Sequence, residues 1–570
     1  MEIYVQGKQV TLSAREFAGQ GGEGSVYIRQ GTAYKVYADP AKAVPAAKIR
    51  ELGALTDPAI IKPEEELTDA QGRTIGYTMR AVENAVPLCQ MFPRSFRDRY
   101  RVTPDKTRHI VQQLQERIQA THAAGILVVD VNEMNFLLSL DLTTVFAIDV
   151  AGYQTRSFPA TAIMESVRDR HRVTFSPETD WFSFAVLAFQ IFIGIHPYRG
   201  KHPTWTTLDD RMQANVSALN PEVTLPPVCQ PLATIPTAYR DWFQAVLEEG
   251  ERVPPPAQAG SSFVAVPVPG KPTGSATRAT PTMAGTLQSR LRATLDGVVL
   301  DVVGEAVLTT EAVYVASRKI GKTPAGKRVH LVVAPTGTVL LAWQEDGRLC
   351  LWNPRQKQDV PITARVDDLQ SADGRLYARC GGNLVEIVLV EAGNRVFAQP
   401  RVVGIVHERT TRLFPGAALQ NLLGACYVSL LPEAGVCQQV RIPELDAYRV
   451  IDGKFQGGVL VVVGQQQGQF CRWVFRFDQN RRTYDAQCTD DVSVGDINFV
   501  VLGTGICLLL TSDGGGNQLA IFEADYKAGT VRGTPHLLTD PLLAGAVRLY
   551  RNGSQAQLAL ENHLYEIGMK

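Results

Sequence analysis

Hydrophobic and polar positions follow two different rhythms in the two halves of this 570-residue chain. The first half mixes short alternating runs, such as TAYKVY (32–37), with longer runs of helical spacing, such as HIVQQLQERIQATHAAGI (109–126). Alternation indicates half-buried strands, and apolar residues three and four positions apart indicate a helix with one buried face. The first half is therefore predicted to mix helices and strands.

The most apolar stretch of the chain is WFSFAVLAFQIFIGI (181–195). It is shorter than the roughly 20 residues that cross a membrane, it contains Ser183 and Gln190, and it directly follows Asp180. We therefore predict a buried helix. The first residues, MEIYVQGKQVTLS, alternate like a strand and lack the long apolar core of a secretory signal, so we expect a cytoplasmic protein.

Beyond about Leu295 the helical spacing stops, and short β-rich runs are broken by Gly, Asp and Asn. Hairpin-like units such as GTVLLAWQEDGRLCLW and GGVLVVVGQQQGQFCRWVF recur at irregular intervals. The intervals average close to the roughly 40–45 residues of a four-stranded propeller blade. We predict an all-β propeller of seven blades, with six blades as the alternative and a pair of β-sandwiches as a different all-β solution.

Between the two halves the composition changes to Pro, Gly, Ala, Ser and Thr with few large side chains. Such a segment buries too little surface to fold and behaves as a linker. The predicted division is a first domain of residues 1–252, a linker of residues 253–292 and a propeller of residues 293–570.

Charge and cysteine content argue against several classes of partner and site. Lys plus Arg and Asp plus Glu both number 57, so the chain presents no net field that would attract nucleic acid or an anionic membrane, and neither is an expected partner. The nine cysteines are scattered singly, without a CxxC pair or a His at ligand spacing. No structural zinc site and no disulfide framework is expected.

A glycine-rich run, FAGQGGEGSVYI, has the order G-x-G-x-x-G-x-V at Gly19, Gly21, Gly24 and Val26. Glycines at this spacing let the backbone of a hairpin lie close over phosphates, and the valine can pack on a purine ring. Lys35 follows inside the strand TAYKVY, where a lysine can hold the α- and β-phosphates of a nucleotide.

Two carboxylates and an amide follow the predicted long helix. Asp130 and Asn135 lie in LVVDVNEMNFLL (127–138), and Asp149 ends a second apolar strand in VFAIDVAGYQ. In this order, Asp130 would orient and deprotonate a substrate hydroxyl, while Asn135 and Asp149 would ligate Mg²⁺.

On these motifs, residues from about 10 to 252 resemble a eukaryotic-type Ser/Thr protein kinase of bacteria. The resemblance implies a bilobal α+β fold with an N-lobe of residues 1–82 and a C-lobe of residues 83–252. It also implies binding of ATP and Mg²⁺, with Met79 as gatekeeper and Ala81 in the linker that faces adenine. DWFSFAVLAFQIFIGIHPYRG is similar to the family's buried helix, in which Asp180 would brace the catalytic loop.

More narrowly, IDVAGYQ and the same apolar helix resemble kinases of tellurium-resistance-type phosphorylation systems. These kinases are encoded beside a von Willebrand A protein and a metal-dependent phosphatase. The resemblance implies those two proteins as partners, besides a protein substrate. The propeller is expected to recruit or sense a protein partner, and exposed linker hydroxyls are expected either to be autophosphorylated or to belong to an inert spacer (Thr273, Ser275, Thr277, Thr280, Thr282 and Thr286).

The sequence also departs from the family. Val128 and Val129 replace the His and Arg that precede the catalytic Asp, and Asp149 is followed by Val and Ala instead of Phe and Gly. The usual APE motif is absent, and Asp169 is the expected partner of Arg252.

The acidic partner of Lys35 is not fixed by the sequence: the family position falls near Ala47 or Lys48, so either Glu51 turns inward or the pair is missing. These departures keep two alternatives open, a nucleotide-binding pseudokinase scaffold and a small-molecule kinase similar to aminoglycoside phosphotransferases.

Overall fold

The computed structural model describes two regions of the chain, here called the N-terminal region (1–256) and the C-terminal region (287–569). Within them it describes residues 1–20, 23–160, 162–256, 287–393, 395–431, 437–466, 468–490, 492, 497–512, 516–527, 530 and 532–569. Most of the predicted linker and all six of its predicted phosphorylation sites lie outside the described residues.

A seven-stranded antiparallel sheet opens the N-terminal region, in the order β2-β1-β6-β7-β5-β4-β3. Gln30 and Gly31, both at positive φ, make the two-residue turn that joins β4 to β5, a geometry that matches the twist of paired strands. The strands are β1 Glu2–Val5, β2 Lys8–Thr11, β3 Phe17–Gln20, β4 Gly24–Arg29, β5 Thr32–Tyr37, β6 Glu66–Thr68 and β7 Thr74–Arg80.

Helices and a small sheet, β10-β9-β8, form the rest of this region. The helices are α1 Ala46–Leu52, α2 Arg94–Arg99, α3 Pro104–Ala123, α4 Pro177–Ile193, α5 Leu208–Ala214 and α6 Thr237–Phe243, and the strands are β8 Ala85–Pro87, β9 Phe136–Ser139 and β10 Val145–Ala147. The apolar stretch forms most of α4, which is buried from Thr179 to Ile193, so the predicted buried helix is confirmed. No helix in the described part of the chain is both long and apolar enough to cross a membrane.

Seven four-stranded antiparallel sheets follow in the described part of the C-terminal region. Six of them use four strands that are consecutive in sequence. Their strands are β12 Val299–Val303, β13 Ala306–Thr309, β14 Ala312–Val315 and β15 Arg318–Lys322; β16 His330–Val333, β17 Val339–Glu345, β18 Arg348–Asn353 and β19 Gln358–Asp359; β20 Asp368–Ala372, β21 Arg375–Cys380, β22 Asn383–Ala392 and β23 Arg395–Ile405; β24 Thr411–Phe414, β25 Ala417–Leu422, β26 Ala425–Leu430 and β27 Gln438–Arg441; β28 Arg449–Gln456, β29 Val459–Gln466, β30 Gln469–Phe477 and β31 Tyr484–Thr489; and β32 Phe499–Val501, β33 Ile506–Ser512, β34 Asn517–Glu523 and β35 His536–Leu538.

The remaining sheet joins the two ends of the C-terminal region. It has the order β11-β38-β37-β36, from β11 Leu287–Thr294, β36 Val547–Asn552, β37 Gln555–Leu560 and β38 His563–Met569. The predicted domain boundary at residue 293 therefore falls inside a strand. First strands of neighbouring sheets contact each other, as in β12 with β16, β16 with β20, β20 with β24 and β24 with β28, and β36 contacts both β32 and β12.

The two regions pack against each other directly. Asp98 at the end of α2 pairs with Arg548 of β36, with Oδ2 and Nη2 2.6 Å apart, and Gln90 donates to the carbonyl of Ile451 at 3.0 Å. Ile451 and Val463 are buried in the same apolar core as α3 and α4. Both regions also line a cavity of about 1630 Å³.

Candidate functional site

Three neighbouring strands bring the first group of predicted residues side by side. Gly19 of β3 is opposite Val26 of β4, and Val26 is opposite Lys35 of β5. A Cβ at Gly19 would meet open space, whereas one at Gly24 would lie 2.1 Å from the carbonyl oxygen of Val36. Gly24 is therefore required by the close approach of β4 and β5, and Gly21 lies outside the described residues.

Lys35 lies between two carboxylates. Its Nζ is 3.1 Å from Oδ1 of Asp149 and 2.7 Å from Oε2 of Glu23, and its side chain is only 12% exposed. Burial favours the neutral amine, but Tyr77, Asp149 and Glu23 together raise the pKa of Lys35 above its ordinary value. Lys35 and Asp149 thus meet although they are 114 positions apart in sequence. The surrounding charges keep the lysine in its charged form.

Glu51 does not supply the partner of Lys35 in the described structure. Its Oε2 accepts a hydrogen bond from the backbone N–H of Ser157 at 3.2 Å. Of the two alternatives left by the sequence, the structure therefore has the one without an α1 glutamate on Lys35. Glu23 of the glycine-rich segment takes that place, and the sequence signal for it was the acidic residue inside GGEGS.

Helix α1 presents a lysine to the same site. Lys48 is 8% exposed, and α1 packs on the turn Val150–Gly152 that follows Asp149. Burial lowers the pKa of Lys48, and the nearby carboxylates of Asp149 and Glu23 oppose that shift. Among the described residues, no hydrogen bond or ion pair of its ammonium group is found. The sequence places the expected acidic partner of Lys35 near Ala47 or Lys48, but it predicts no role for Lys48 itself.

Asp130 and Asn135 form one hydrogen-bonded unit. Nδ2 of Asn135 donates to the backbone oxygen of Asp130 at 3.0 Å and to its Oδ2 at 3.1 Å. Oδ1 of Asp130 accepts the backbone N–H of Met164 at 2.9 Å. Burial raises the pKa of Asp130, and these hydrogen bonds partly counteract that effect.

Asp180 holds the segment that precedes Asp130, as predicted. Its carboxylate accepts the backbone N–H groups of Val128 and Val129, both at 2.8 Å. Nε2 of His122 lies 2.8 Å from the same carboxylate. Val128 and Val129 are buried, so their side chains pack inside the N-terminal region. His122 is a residue that sequence reasoning missed, since it lies on α3, well before the loop.

Asp149 follows β10 in a left-handed conformation, with φ of 58° and ψ of 29°. The backbone N–H of Ile148 donates to the carbonyl oxygen of Asn135 at 2.9 Å, which keeps the two strand ends together. In the described structure Oδ1 of Asn135 accepts no hydrogen bond. The carboxylate of Asp149 and the amide oxygen of Asn135 are hard oxygen donors of the kind that Mg²⁺ prefers.

Two further predictions concern positions around the site. Arg252 makes a two-point ion pair with Asp169, with Nε to Oδ2 at 2.5 Å and Nη2 to Oδ1 at 2.7 Å, so the predicted pair is confirmed. Met79 lies in β7 opposite Ala33 and packs near the cluster that contains Tyr77. The N–H of Ala81 donates to the carbonyl of Gly31 at 2.8 Å, so this amide is engaged within the protein.

Comparison with known proteins adds little to what the geometry of the site indicates about function. No family model matches the chain, and no curated protein matches it. Among solved structures, the chain is similar to the kinase PK-1 of the Cydia pomonella granulovirus, at 12% identity and a TM-score of 0.32. That similarity covers 42% of this chain and 87% of the viral kinase. At this TM-score it carries no argument of its own, and the functional conclusion rests on the arrangement of Lys35, Asp130, Asn135 and Asp149.

Proposed function

We propose that the chain is an ATP- and Mg²⁺-dependent phosphotransferase that phosphorylates Ser or Thr residues of proteins. The observation that carries this proposal is the convergence of Lys35 on Asp149 at 3.1 Å beside the hydrogen-bonded pair Asp130 and Asn135. Catalysis of phosphoryl transfer depends mainly on positioning of the reacting groups and on neutralisation of the phosphate charge. These four residues supply both.

Each residue has a distinct task in this proposal. Lys35 binds the α- and β-phosphates, and Asp149 and Asn135 hold Mg²⁺, which neutralises charge on the transferred phosphate. Asp130 orients the acceptor hydroxyl and takes its proton. Its Oδ1 accepts the Met164 amide and its Oδ2 accepts Asn135, and each oxygen has a second lone pair that can accept the hydroxyl.

A nucleotide-binding pseudokinase scaffold is the second candidate. It is favoured by the Met164 amide on Asp130 and by a buried lysine, Lys48, on α1 where the kinase family has a glutamate. In that case the protein would bind ATP without transferring its phosphate. Nucleotide binding alone therefore does not separate the two candidates, and a transfer measurement does.

We further propose that the seven sheets are the blades of one propeller, which recruits or senses a protein partner in the cytoplasm. The sheet built from both ends of the region supports a closed ring, because this arrangement fastens the first blade to the last. A von Willebrand A protein and a metal-dependent phosphatase are the proposed partners besides the substrate. Co-purification of the full-length chain with the products of its neighbouring genes tests this part.

The acceptor class is tested by supplying the full-length protein with γ-labelled ATP, Mg²⁺ and one acceptor at a time. We expect label on a Ser- and Thr-containing protein and none on an aminoglycoside or another amino sugar, and we expect chelation of Mg²⁺ to abolish transfer. Labelling of the sugar in preference to the protein would instead support a small-molecule kinase.

A further inference from the structure

Two cysteines and an aspartate meet on the sheet β28–β31, far from the proposed transfer residues in sequence. The Sγ atoms of Cys471 and Cys488 and a carboxylate oxygen of Asp490 all lie within 4.8 Å of one another. The Cys488 thiol donates to Oδ1 of Asp490 at 3.4 Å. We call these three residues the thiol cluster.

The register of β30 and β31 explains why the cluster forms. Arg472 is opposite Thr489 and Trp473 is opposite Cys488. Side chains alternate between the two faces of a sheet, and opposite residues share a face. Cys471 and Cys488 therefore lie on one face, and Asp490 follows directly after the end of β31.

Residues of the neighbouring strand β29 and of the loop before β28 pack beside the cluster. Gly464 of β29 is opposite Cys471, and a Cβ at Gly464 would lie 3.1 Å from Cβ of Tyr448. Because glycine leaves that space free, Tyr448 packs over the sheet, with its ring 5.8 Å from that of Trp473. Cys471 is buried and Asp490 is exposed, so the cluster opens to solvent on the aspartate side.

Charges around the cluster are unbalanced. Asp490 makes no ion pair with any described Lys or Arg side chain. The Cys488 thiol donates to this carboxylate, so the carboxylate lies within reach of both sulfur atoms.

We propose that the thiol cluster binds one thiophilic divalent metal ion of the Zn²⁺ class through two thiolates and one carboxylate. Tetrahedral Zn²⁺ with Zn–S bonds of about 2.3 Å places two sulfur atoms roughly 3.8 Å apart, so the two sulfur atoms, which lie within 4.8 Å of each other, need to approach by about 1 Å at most. Both thiols lose their protons when the ion binds, so two protons are released for each metal ion. Mg²⁺ and Ca²⁺ do not fit, because they prefer sets of oxygen ligands.

The sequence did not predict this site because its ligands are cross-strand neighbours and not a CxxC pair. Three protein ligands would leave a fourth position for water, and Asp490 is the exposed member of the three. The proposal does not depend on phosphotransferase activity, so the two can fail separately.

Titration of the reduced, metal-free full-length protein with Co²⁺ tests the proposal. We expect one Co²⁺ per chain, with sulfur-to-cobalt charge-transfer absorption that disappears when Zn²⁺ is added. Cys471→Ser and Cys488→Ser should each weaken binding by about 100-fold or more and reduce the charge-transfer band, because each removes a thiolate ligand. Asp490→Asn should weaken binding with the band retained, and the matched control Cys380→Ser, on β21 of another sheet, should bind like the wild type.

Thermal unfolding separates loss of the site from loss of the fold. Zn²⁺ should raise the unfolding midpoint of the wild type and of Cys380→Ser, because a ligand that binds the folded state stabilises it. It should not raise the midpoint of the Cys471→Ser, Cys488→Ser double variant. Absence of a charge-transfer band in the wild type, or an unchanged band in that folded double variant, would overturn the proposal.

Discussion

Val129 stores backbone strain next to the residue on which the proposed activity depends. Its φ of 67° lies in the left-handed region, which costs a non-glycine residue roughly 1–3 kcal/mol. The carboxylate of Asp180 holds this conformation by accepting the N–H groups of Val128 and Val129. The backbone of the loop that carries Asp130 is therefore held in place by the carboxylate of Asp180.

Glu133, in the same loop, is a buried acid that forms no ion pair with any of the described residues. It is 3% exposed, and its Oε2 has no hydrogen-bond partner among the described residues. Burial, with a smaller contribution from Asp130, raises the pKa of Glu133 from 4.5 to about 7. A raised carboxyl pKa means that the folded state holds the proton more tightly than the unfolded state between these two pH values. Stability is therefore lost as the pH rises from about 4.5 through about 7.

We expect Glu133→Gln to stabilise the N-terminal region at pH 8 and to change little at pH 5. At pH 8 the free energy of unfolding should increase by at most about 3 kcal/mol, since one pKa unit corresponds to about 1.4 kcal/mol. Thermal unfolding midpoints at the two pH values measure it, with the exposed Glu249→Gln as the control. Equal effects of Glu133→Gln at both pH values would contradict the assignment of a buried, titrating carboxyl.

At the scale of elements, the glycine-rich hairpin and helix α1 differ in what their glutamates bind. The carboxylate on Lys35 comes from Glu23, next to β4, while Glu51 of α1 binds the backbone of Ser157. Lys35 is thus oriented by the hairpin that would cover the nucleotide. The position of the hairpin and the position of the lysine are coupled through this ion pair.

Glu23→Gln is therefore expected to lower kcat/KM for ATP by up to about fivefold, because the Glu23 side chain is 61% exposed and an exposed ion pair contributes up to about 1 kcal/mol. Glu51→Gln, the matched control on α1, should stay within about twofold of the wild type. Steady-state transfer kinetics over a range of ATP concentrations measures both. A larger loss in Glu51→Gln than in Glu23→Gln would contradict the observed pairing.

Elements with a strong local pattern were predictable from the sequence, and those defined by distant contacts were not. The buried helix α4 was predicted because its apolar run is continuous over more than four turns. Strand β11 fell partly inside the predicted linker, because only its pairing with β38, at the other end of the chain, makes it a strand.

The candidate site shows the same division. The spacing of Asp130, Asn135 and Asp149 was readable because it lies within two adjacent strands and their loops. The carboxylate that reaches Lys35 depends on the rotation of α1 and on the path of the hairpin, which no local pattern encodes. The thiol cluster escaped notice because Cys471 and Cys488 meet only after β30 and β31 pair.

At the scale of the whole molecule, the C-terminal region touches the elements that hold the proposed site. A Cβ at Gly468, in the turn between β29 and β30, would lie 2.9 Å from the side chain of Met164, whose amide is bonded to Asp130. Strand β25 also contacts β3 of the glycine-rich hairpin. The C-terminal region therefore contacts the N-terminal region at two places near the proposed site. A shift of the turn between β29 and β30 would move the side chain of Met164.

The pair Asp98–Arg548 is the place to test this association. The two side chains are 18% and 16% exposed and 2.6 Å apart, so Asp98→Ala leaves a partly buried guanidinium without this carboxylate. With a protease site introduced between residues 257 and 286, we expect the cleaved wild type to elute as one complex in size-exclusion chromatography. Asp98→Ala should weaken the association about tenfold or more, while Glu305→Ala, which removes a pair inside the C-terminal region, should not. Separation of the wild-type fragments at micromolar concentration would contradict the observed interface.

The most direct test of the central claim is transfer of the γ-phosphate from labelled ATP by the full-length protein and by its Asp130→Asn variant. Asp105→Asn, on the exposed first turn of α3, is the control. The proposed role of Asp130 as the base predicts a fall of at least about 100-fold in Asp130→Asn and an unchanged rate in the control. Equal transfer by the wild type and Asp130→Asn, or no transfer by the wild type to itself or to any protein acceptor, would contradict the claim that this chain is a protein kinase.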